Sequence, residues 1–246
     1  MGKLVASRIG RVHAVIPDCQ VRPGVNTDHL SWISNYLHEK KPDVIVCLGD
    51  FADMVSLNSY AVGKASAEGT RYRDDLDSAR KAMDRLCKKL PKADMHLTLG
   101  NHEDRIDREV ESNPKWSGTH SSKDLWYEAW GWKVHPFLRP VKIDGVEYAH
   151  YFTSGALGRP VSSARALLNK RHGSAVMGHV QQRDIAIHSE TQHTAIFAGI
   201  CYTHKEAYLG PQGNVNRPGI WMLHEVHNGI FDPMFVSLAF LKRRYS

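Results

Sequence analysis

Eight polar side chains in this sequence stand just after apolar segments, where loops begin. They are Asp18, Gln20, Asp50, Asn101, His102, His150, His179 and Gln181. Aspartate, asparagine and histidine are suitable ligands for divalent metal ions, and two such ions can act together on a phosphate group. Gly49 precedes Asp50 and Gly100 precedes Asn101, and the missing side chain of glycine lets a metal ion or phosphate approach closely. The residue types therefore predict a pair of metal ions.

The segments before the first of these residues read as strands of a parallel sheet. Apolar runs cover residues 12–16, 43–48 and 95–99, and patterns of helical spacing lie between them at about 27–40 and 74–90. A β-α-β-α-β order predicts parallel strands whose functional residues gather in loops at their carboxyl ends. Those ends read PDCQ, GDFAD and GNHED, beginning at residues 17, 49 and 100. We therefore expect them to meet at one edge of the sheet.

The second half of the sequence is richer in strand patterns. Strands are predicted at residues 146–152, 175–177, 184–188, 194–200, 220–226 and 234–241, with one helix at about 162–170. No internal repeat or linker divides the chain. We therefore expect one domain over residues 1–246, of the α/β class.

Residues 113–132 differ from the rest because they contain four tryptophans among polar residues. The four are Trp116, Trp126, Trp130 and Trp132. They suggest a cap-like insertion that packs its aromatic side chains against the domain. The alternative is a surface on which nucleic-acid bases stack.

The composition excludes several classes of protein. Hydrophobic residues make up 42% and charged residues 24%, as in ordinary soluble domains. No apolar run approaches the ~20 residues that cross a bilayer, and the first residues lack the apolar core of a signal peptide, so we expect a cytoplasmic protein without a membrane partner. The four cysteines form no CxxC pair, which argues against a disulfide framework or zinc finger. A net charge of +6 favours anionic partners.

The motifs Gly49-Asp50 and Gly100 to Glu103, followed by His150 and Gly178-His179, resemble those of the calcineurin-like metallophosphoesterases. The resemblance runs from Asp18 to Gln181 in the family's order, about two-thirds of the chain. It implies a four-layered α-β-β-α sandwich of mixed sheets flanked by helices. It also implies two divalent metal ions, with Mn²⁺ as the first choice and Mg²⁺, Zn²⁺ or Fe as alternatives.

Carried over by position, the resemblance also implies roles for individual residues. Asp50 would bridge both ions, while Asn101, His150 and His179 would complete the second site. His102 follows the candidate ligand Asn101 in the sequence, and it would protonate the leaving oxygen or stabilise the phosphate. His150 on its own could equally be a core histidine, because the strand pattern does not fix the direction of its side chain.

Two departures from the family pattern affect the first metal ion. The family's Asp-x-His appears here as Asp18-Cys19-Gln20, and its Gly-His-x-His ends here in Gln181. The ligands of the first ion would then be Asp18, Gln20, Asp50 and Gln181, all binding through oxygen. Oxygen ligands suit Mg²⁺, Mn²⁺ and Ca²⁺, whereas Zn²⁺ gains more from imidazole. We therefore expect a weak first site, and His204 is the candidate substitute if the glutamines turn away.

The reaction that these residues predict is hydrolysis of a phosphate ester by in-line attack of a metal-bound hydroxide. The net positive charge favours nucleic acid or nucleotides as substrates, so a phosphodiesterase or nuclease is the leading hypothesis. The alternatives are a phosphomonoesterase acting on proteins or small molecules, and a non-catalytic binding module disabled by the two glutamines. The presence of His102 argues against the module. The sequence indicates neither a substrate-binding residue nor an oligomeric state.

Overall fold

A computed structural model describes residues 10–206 and 214–246. The strands in these ranges are β1 (Arg11–Ile16), β2 (Val44–Cys47), β3 (Asp94–Thr98), β4 (Lys133–His135), β5 (Val141–Ile143), β6 (Val146–Ala149), β7 (Ala175–Met177), β8 (Arg183–Ile187), β9 (Thr194–Ala198), β10 (Gly219–His227) and β11 (Ile230–Ser237). The α-helices there are α1 (Asp28–Lys40), α2 (Tyr72–Cys87), α3 (Asp104–Ser112), α4 (Ala164–Arg171) and α5 (Leu238–Tyr245).

The strands form two mixed sheets. The first has the order β11-β10-β1-β2-β3-β4, and the second has the order β5-β6-β7-β9-β8. In the first sheet β1 to β4 are parallel, and β10 and β11 are antiparallel to their neighbours. In the second sheet β6, β7 and β9 are parallel between two antiparallel edge strands. The predicted parallel β-α-β-α-β unit is therefore confirmed.

Three apolar layers lie between the sheets and helices. On β1, Ile16 packs towards Leu30 of α1 and the other helices on the first sheet, whereas Val15 faces the second sheet and shares a cluster with Val176 of β7. On the far face of β7, Met177 packs with residues of α4. Successive strand residues point to opposite faces, so a strand buried on both sides is apolar throughout. These layers confirm the α-β-β-α sandwich.

Several parts of the chain differ from the sequence-based expectation, which did not include the short strands β4 and β5. The strand predicted at 234–241 ends at Ser237, because the hydroxyl of Ser237 accepts a hydrogen bond from Phe240 N (3.3 Å) and caps α5. The prediction of strand over the last four residues is therefore wrong. Helix α3, which was not predicted, follows the GNHE segment directly.

Residues 113–132 form short 3₁₀ turns between α3 and β4. Leu125, Tyr127 and Trp132 are buried in the apolar layer beneath α1 and α2. Trp126 is exposed, and the Arg80 guanidinium lies 3.7 Å from its ring centroid. The segment thus packs part of its aromatic content against the domain. Separately, none of the described helices has the length and apolar character needed to cross a membrane.

Candidate metal centre

The loops after β1, β2 and β3 are tied together by hydrogen bonds. Gln20 N donates to Asp50 O (2.8 Å), which joins the first loop to the second. The fully buried Glu103 carboxylate accepts from Asp50 N (2.9 Å), Ala52 N (2.9 Å) and Gly100 N (2.8 Å), which joins the second loop to the third. The expected meeting of the three strand ends therefore occurs, and Glu103 holds it.

Four residues of the site have left-handed backbone conformations although none is glycine. They are Gln20 (φ 42°), Asp50 (φ 45°), His179 (φ 66°) and Gln181 (φ 62°). Such conformations are uncommon for non-glycine residues and persist only when surrounding contacts enforce them. Surrounding contacts therefore hold the loops in one arrangement at the point where the strand ends meet.

The second sheet contributes two histidines to this point. His150 follows β6 and is buried, and its Nδ1 lies 2.9 Å from Leu48 O. Because a carbonyl oxygen only accepts, this contact places a proton on Nδ1 and directs Nε2 at the site. His150 Nε2 lies 2.9 Å from Asn101 Oδ1 and 3.3 Å from Asp50 Oδ2.

Asp50, His150 and His179 can offer three ligand atoms that all lie within 4.8 Å of one another. Asn101 joins them, since its Oδ1 lies 2.8 Å from His179 Nδ1. A carboxylate, an amide oxygen and two imidazoles suit a divalent transition metal. These four side chains come together as the resemblance implied.

Asp18 lies next to this cluster and is fully buried. Its Oδ1 accepts a hydrogen bond from His179 N (3.0 Å), but within the described residues its Oδ2 is buried with no hydrogen-bond partner. Burial raises the pKa of Asp18 to about 7 in the metal-free protein. A buried carboxylate oxygen without a partner is costly, and a cation beside it would remove that cost. The residues therefore fit a metal ion.

In the metal-free protein the electrostatics suit only some of the ligands to metal binding. Burial would lower the pKa of His150, but the charge of Asp50 outweighs it and raises that pKa to about 9, so His150 must lose a proton when a metal ion binds. Burial by itself would raise the pKa of Asp50, but the positive charges of His102 and His150 outweigh it and lower that pKa. Burial, reinforced by the charge of His150, lowers the pKa of His179 to about 4. At neutral pH Asp50 is therefore ionised and His179 is neutral, as metal ligands must be.

The two glutamines are both buried at this end of the sheets. The Gln181 amide oxygen accepts a hydrogen bond from Tyr202 Oη (3.0 Å). The ring of His204 stacks on Tyr202 at a centroid distance of 4.5 Å. His204 therefore contacts the tyrosine that binds Gln181. The assignment of Gln20 and Gln181 to the first metal ion stays a prediction.

His102 has a different set of neighbours. Its Nδ1 lies 2.8 Å from Asp53 Oδ1, and its Nε2 lies 3.6 Å from Asp50 Oδ2. Burial would lower the pKa of His102, but the charges of Asp50 and Asp53 outweigh it and raise that pKa. A histidine held at Nδ1 by a carboxylate presents Nε2 for proton transfer.

Several partners of the site are not indicated by the sequence motifs. They are Arg22, Asp53, Glu103, Arg105 and Glu206. Asp53, Glu103 and Arg105 belong to or closely follow the motifs at residues 49–53 and 100–103, so proximity to those motifs was an available signal. Arg22 and Glu206 are 184 residues apart, and no local pattern indicates their contact.

The sequence profile of the calcineurin-like phosphoesterase family matches residues 13–199, and the chain belongs to this family. The family binds divalent metal ions, and membership supports a metal-dependent phosphoesterase in general. Among solved structures, a zinc complex of Vps29 from Entamoeba histolytica is similar, with 11% sequence identity and a TM-score of 0.43 over 92% of this chain and 99% of that chain. No curated protein matches the chain.

Proposed function

We propose that this protein hydrolyses phosphodiesters of nucleic acid or nucleotides at a site for two divalent metal ions. The observation that carries the proposal is the position of His102 beside the ligand cluster. Its Nε2 lies 3.6 Å from Asp50 Oδ2, while Asp53 holds the other ring nitrogen. A binding site alone has no need of a buried histidine oriented in this way.

Asp50 would contact both ions, with Asn101, His150 and His179 around the second. The first ion would lie between Asp18, Gln20, Asp50 and Gln181, where Asp18 Oδ2 has no hydrogen-bond partner among the described residues. Bound ions would supply a nucleophilic water at neutral pH and offset the negative charge of the phosphoryl oxygens. Mn²⁺ suits this mixed set of oxygen and imidazole ligands.

The chain itself supplies the proton for the leaving group. As the bond between phosphorus and the leaving oxygen breaks, that oxygen takes a proton from His102 Nε2, and the Asp53 carboxylate stabilises the ring through Nδ1. Proton transfer of this kind contributes about 10²–10⁴ in rate.

Arg105 is our candidate for contact with the substrate phosphate. Its Nη1 donates to Asp53 O (2.7 Å) and Met54 O (3.3 Å), which anchors the guanidinium. Its Nη2 lies 3.2 Å from His102 Nε2, so its positive charge lies where a leaving group and its phosphate must approach. Guanidinium groups bind phosphate oxygens strongly.

The proposal is tested by turnover of bis-p-nitrophenyl phosphate and p-nitrophenyl phosphate with added Mn²⁺. We expect both to be hydrolysed, with the diester preferred. Preference for the monoester would instead make the protein a phosphomonoesterase.

A non-catalytic binding module is the second candidate function, and one contact favours it. Tyr202 donates to the Gln181 amide oxygen, which competes with a metal ion for that oxygen. Titration with Mn²⁺ beside the same assay separates the two functions. Binding of Mn²⁺ without turnover of either ester would favour the binding module over the enzyme.

A further inference from the structure

A line of charged side chains runs from His102 to the loop at residues 201–206. Asp53 Oδ1 lies 2.8 Å from His102 Nδ1, and Asp53 Oδ2 accepts from Arg22 Nη1 (2.7 Å). The same Arg22 nitrogen lies 2.6 Å from Glu206 Oε1. His204 Nε2 lies 2.7 Å from that Glu206 oxygen and ends the line.

The two carboxylates in this line are buried on either side of one guanidinium. Asp53 is 5% exposed and Glu206 is 3% exposed. Buried carboxylates are stable only when paired with positive charge or hydrogen-bonded. Arg105 Nη1 also lies 3.6 Å from Asp53 Oδ1, but the Arg22 nitrogen is the one that contacts both carboxylates. Its removal would leave the two carboxylates facing each other, and the carboxylate of Asp53 would reorient.

At the far end of the line, the backbone of Glu206 is hydrogen-bonded to the side chain of Asn214. Glu206 N donates to Asn214 Oδ1 (2.8 Å), and Asn214 Nδ2 donates to Glu206 O (2.8 Å). The loop begins with a hydrogen bond from Cys201 N to Asp18 O (2.7 Å). Glu206 is therefore held by contacts other than its ion pair with Arg22.

We propose that Arg22 and Glu206 are positioning residues for His102. Arg22, held by Glu206, occupies one carboxylate oxygen of Asp53 and leaves the other for His102 Nδ1. This fixes the ring so that Nε2 meets the leaving oxygen, and misplacement by about 1 Å can cost on the order of 10² in rate. The inference rests on the proposed phosphoesterase function.

The first test is the dependence of turnover on the leaving group in Arg22→Gln. Methyl phenyl phosphate has a poor leaving group that needs a proton, whereas methyl p-nitrophenyl phosphate has a good one that needs little help. We expect kcat to fall about 10-fold or more for the phenyl ester and less than about 3-fold for the nitrophenyl ester, with unchanged metal content. Arg22→Lys should recover part of the loss.

Arg171→Gln is the matched control, since Arg171 forms an equally short ion pair with Glu147 (2.6 Å) on the second sheet. It should lower both rates equally or not at all. An equal loss for both esters in Arg22→Gln, or no loss, would overturn the positioning role.

The second test needs neither metal nor activity. In the metal-free protein, the proton that His102 Nδ1 shares with Asp53 should give a low-field NMR signal, assigned by its absence in His102→Asn. We expect the signal to be lost in Arg22→Gln and Glu206→Gln and kept in Arg171→Gln. If Arg22→Gln keeps the signal, the inference is wrong, whereas a wild type that hydrolyses no ester refutes the proposed function instead.

Discussion

His102 follows Asn101 in the sequence, but the structure gives the two side chains different partners. Asn101 Oδ1 contacts His150 and His179, whereas His102 Nδ1 contacts Asp53. We predict that His102→Ala lowers kcat by about 10² or more and leaves the metal content nearly unchanged. Steady-state kinetics with elemental analysis of the purified variant would check this. Loss of bound metal would make His102 a ligand instead.

Asp50 Oδ2 lies 3.3 Å from His150 Nε2 and 3.6 Å from His102 Nε2. Asp50→Asn keeps the shape of the side chain and removes the charge that would hold two cations. We therefore expect a larger loss than in His102→Ala, affecting both metal binding and turnover. A variant that kept both metal ions and full activity would show that the bridging assignment is wrong.

The two buried glutamines lead to a prediction about unequal metal affinity. With only oxygen ligands the first site should bind more weakly than the site that contains His150 and His179. Gln20→His combined with Gln181→His should tighten the first site, chiefly for Mn²⁺ or Zn²⁺, as measured by titration calorimetry. Gln182→His, on the exposed neighbour, is the control and should change nothing. Two equally tight sites in the natural protein, or no effect of the double change, would contradict the assignment of the glutamines. His204 would then be the next candidate ligand.

At the scale of elements, the loop after β7 must pass close to the loop after β1. A Cβ atom on Gly178 would lie 2.3 Å from Asp18 Oδ1, whereas a Cβ on Gly173 would have its nearest contact at 3.8 Å. We predict that Gly178→Ala displaces the Asp18 carboxylate and weakens Mn²⁺ binding about 10-fold or more, because correct ligand geometry determines affinity. Gly173→Ala should leave binding unchanged in the same calorimetric titration. Equal affinities in the two variants would mean that Asp18 is not a ligand.

The sequence indicated most strands of the fold because strands covered on both faces are apolar throughout. It failed where the pattern was weak or ambiguous. In α3 the apolar side chains are Ile106 and Val110, too few to display a helical period. At residues 234–241 one apolar run continues from strand into helix, so hydrophobicity alone does not mark the boundary, although Ser237 was an available cap signal.

The candidate ligands could be predicted because they follow strands whose ends meet in this topology. Their supporting partners could not. The contact of Arg22 with Glu206 depends on how a late loop folds back on an early one, and exposed charged residues of the same types occur throughout the chain. Physical proximity of this kind is a property of the packed structure rather than of local sequence.

At the scale of the whole molecule, buried histidines make stability depend on pH. Burial, reinforced by the charge of His204, lowers the pKa of His29 from 6.5 to about 4. The unfolded chain therefore takes up the proton first, so the stability that comes from neutral His29 is present above about pH 6.5 and is lost as the pH falls towards 4.

We predict that this residue alone contributes a loss of about 2 kcal/mol in unfolding free energy between pH 7 and pH 5. Urea unfolding at both pH values should show that loss reduced by about this amount in His29→Gln. His38→Gln, on the exposed side of the same helix, should keep the wild-type dependence. If both variants behave alike, His29 does not carry the effect.

The pairing of β1 with β10 has a consequence for synthesis of the chain. Ala14 of β1 pairs with Met222 of β10, and β2 occupies only the other side of β1. On the ribosome, the β10 side of β1 therefore stays open until β10 (Gly219–His227) has emerged, and the entire second sheet is made in the meantime. Open apolar strand edges attract other chains, and pairings between distant segments form slowly. Until β10 is made, that edge of β1 is therefore open to pairing with other chains.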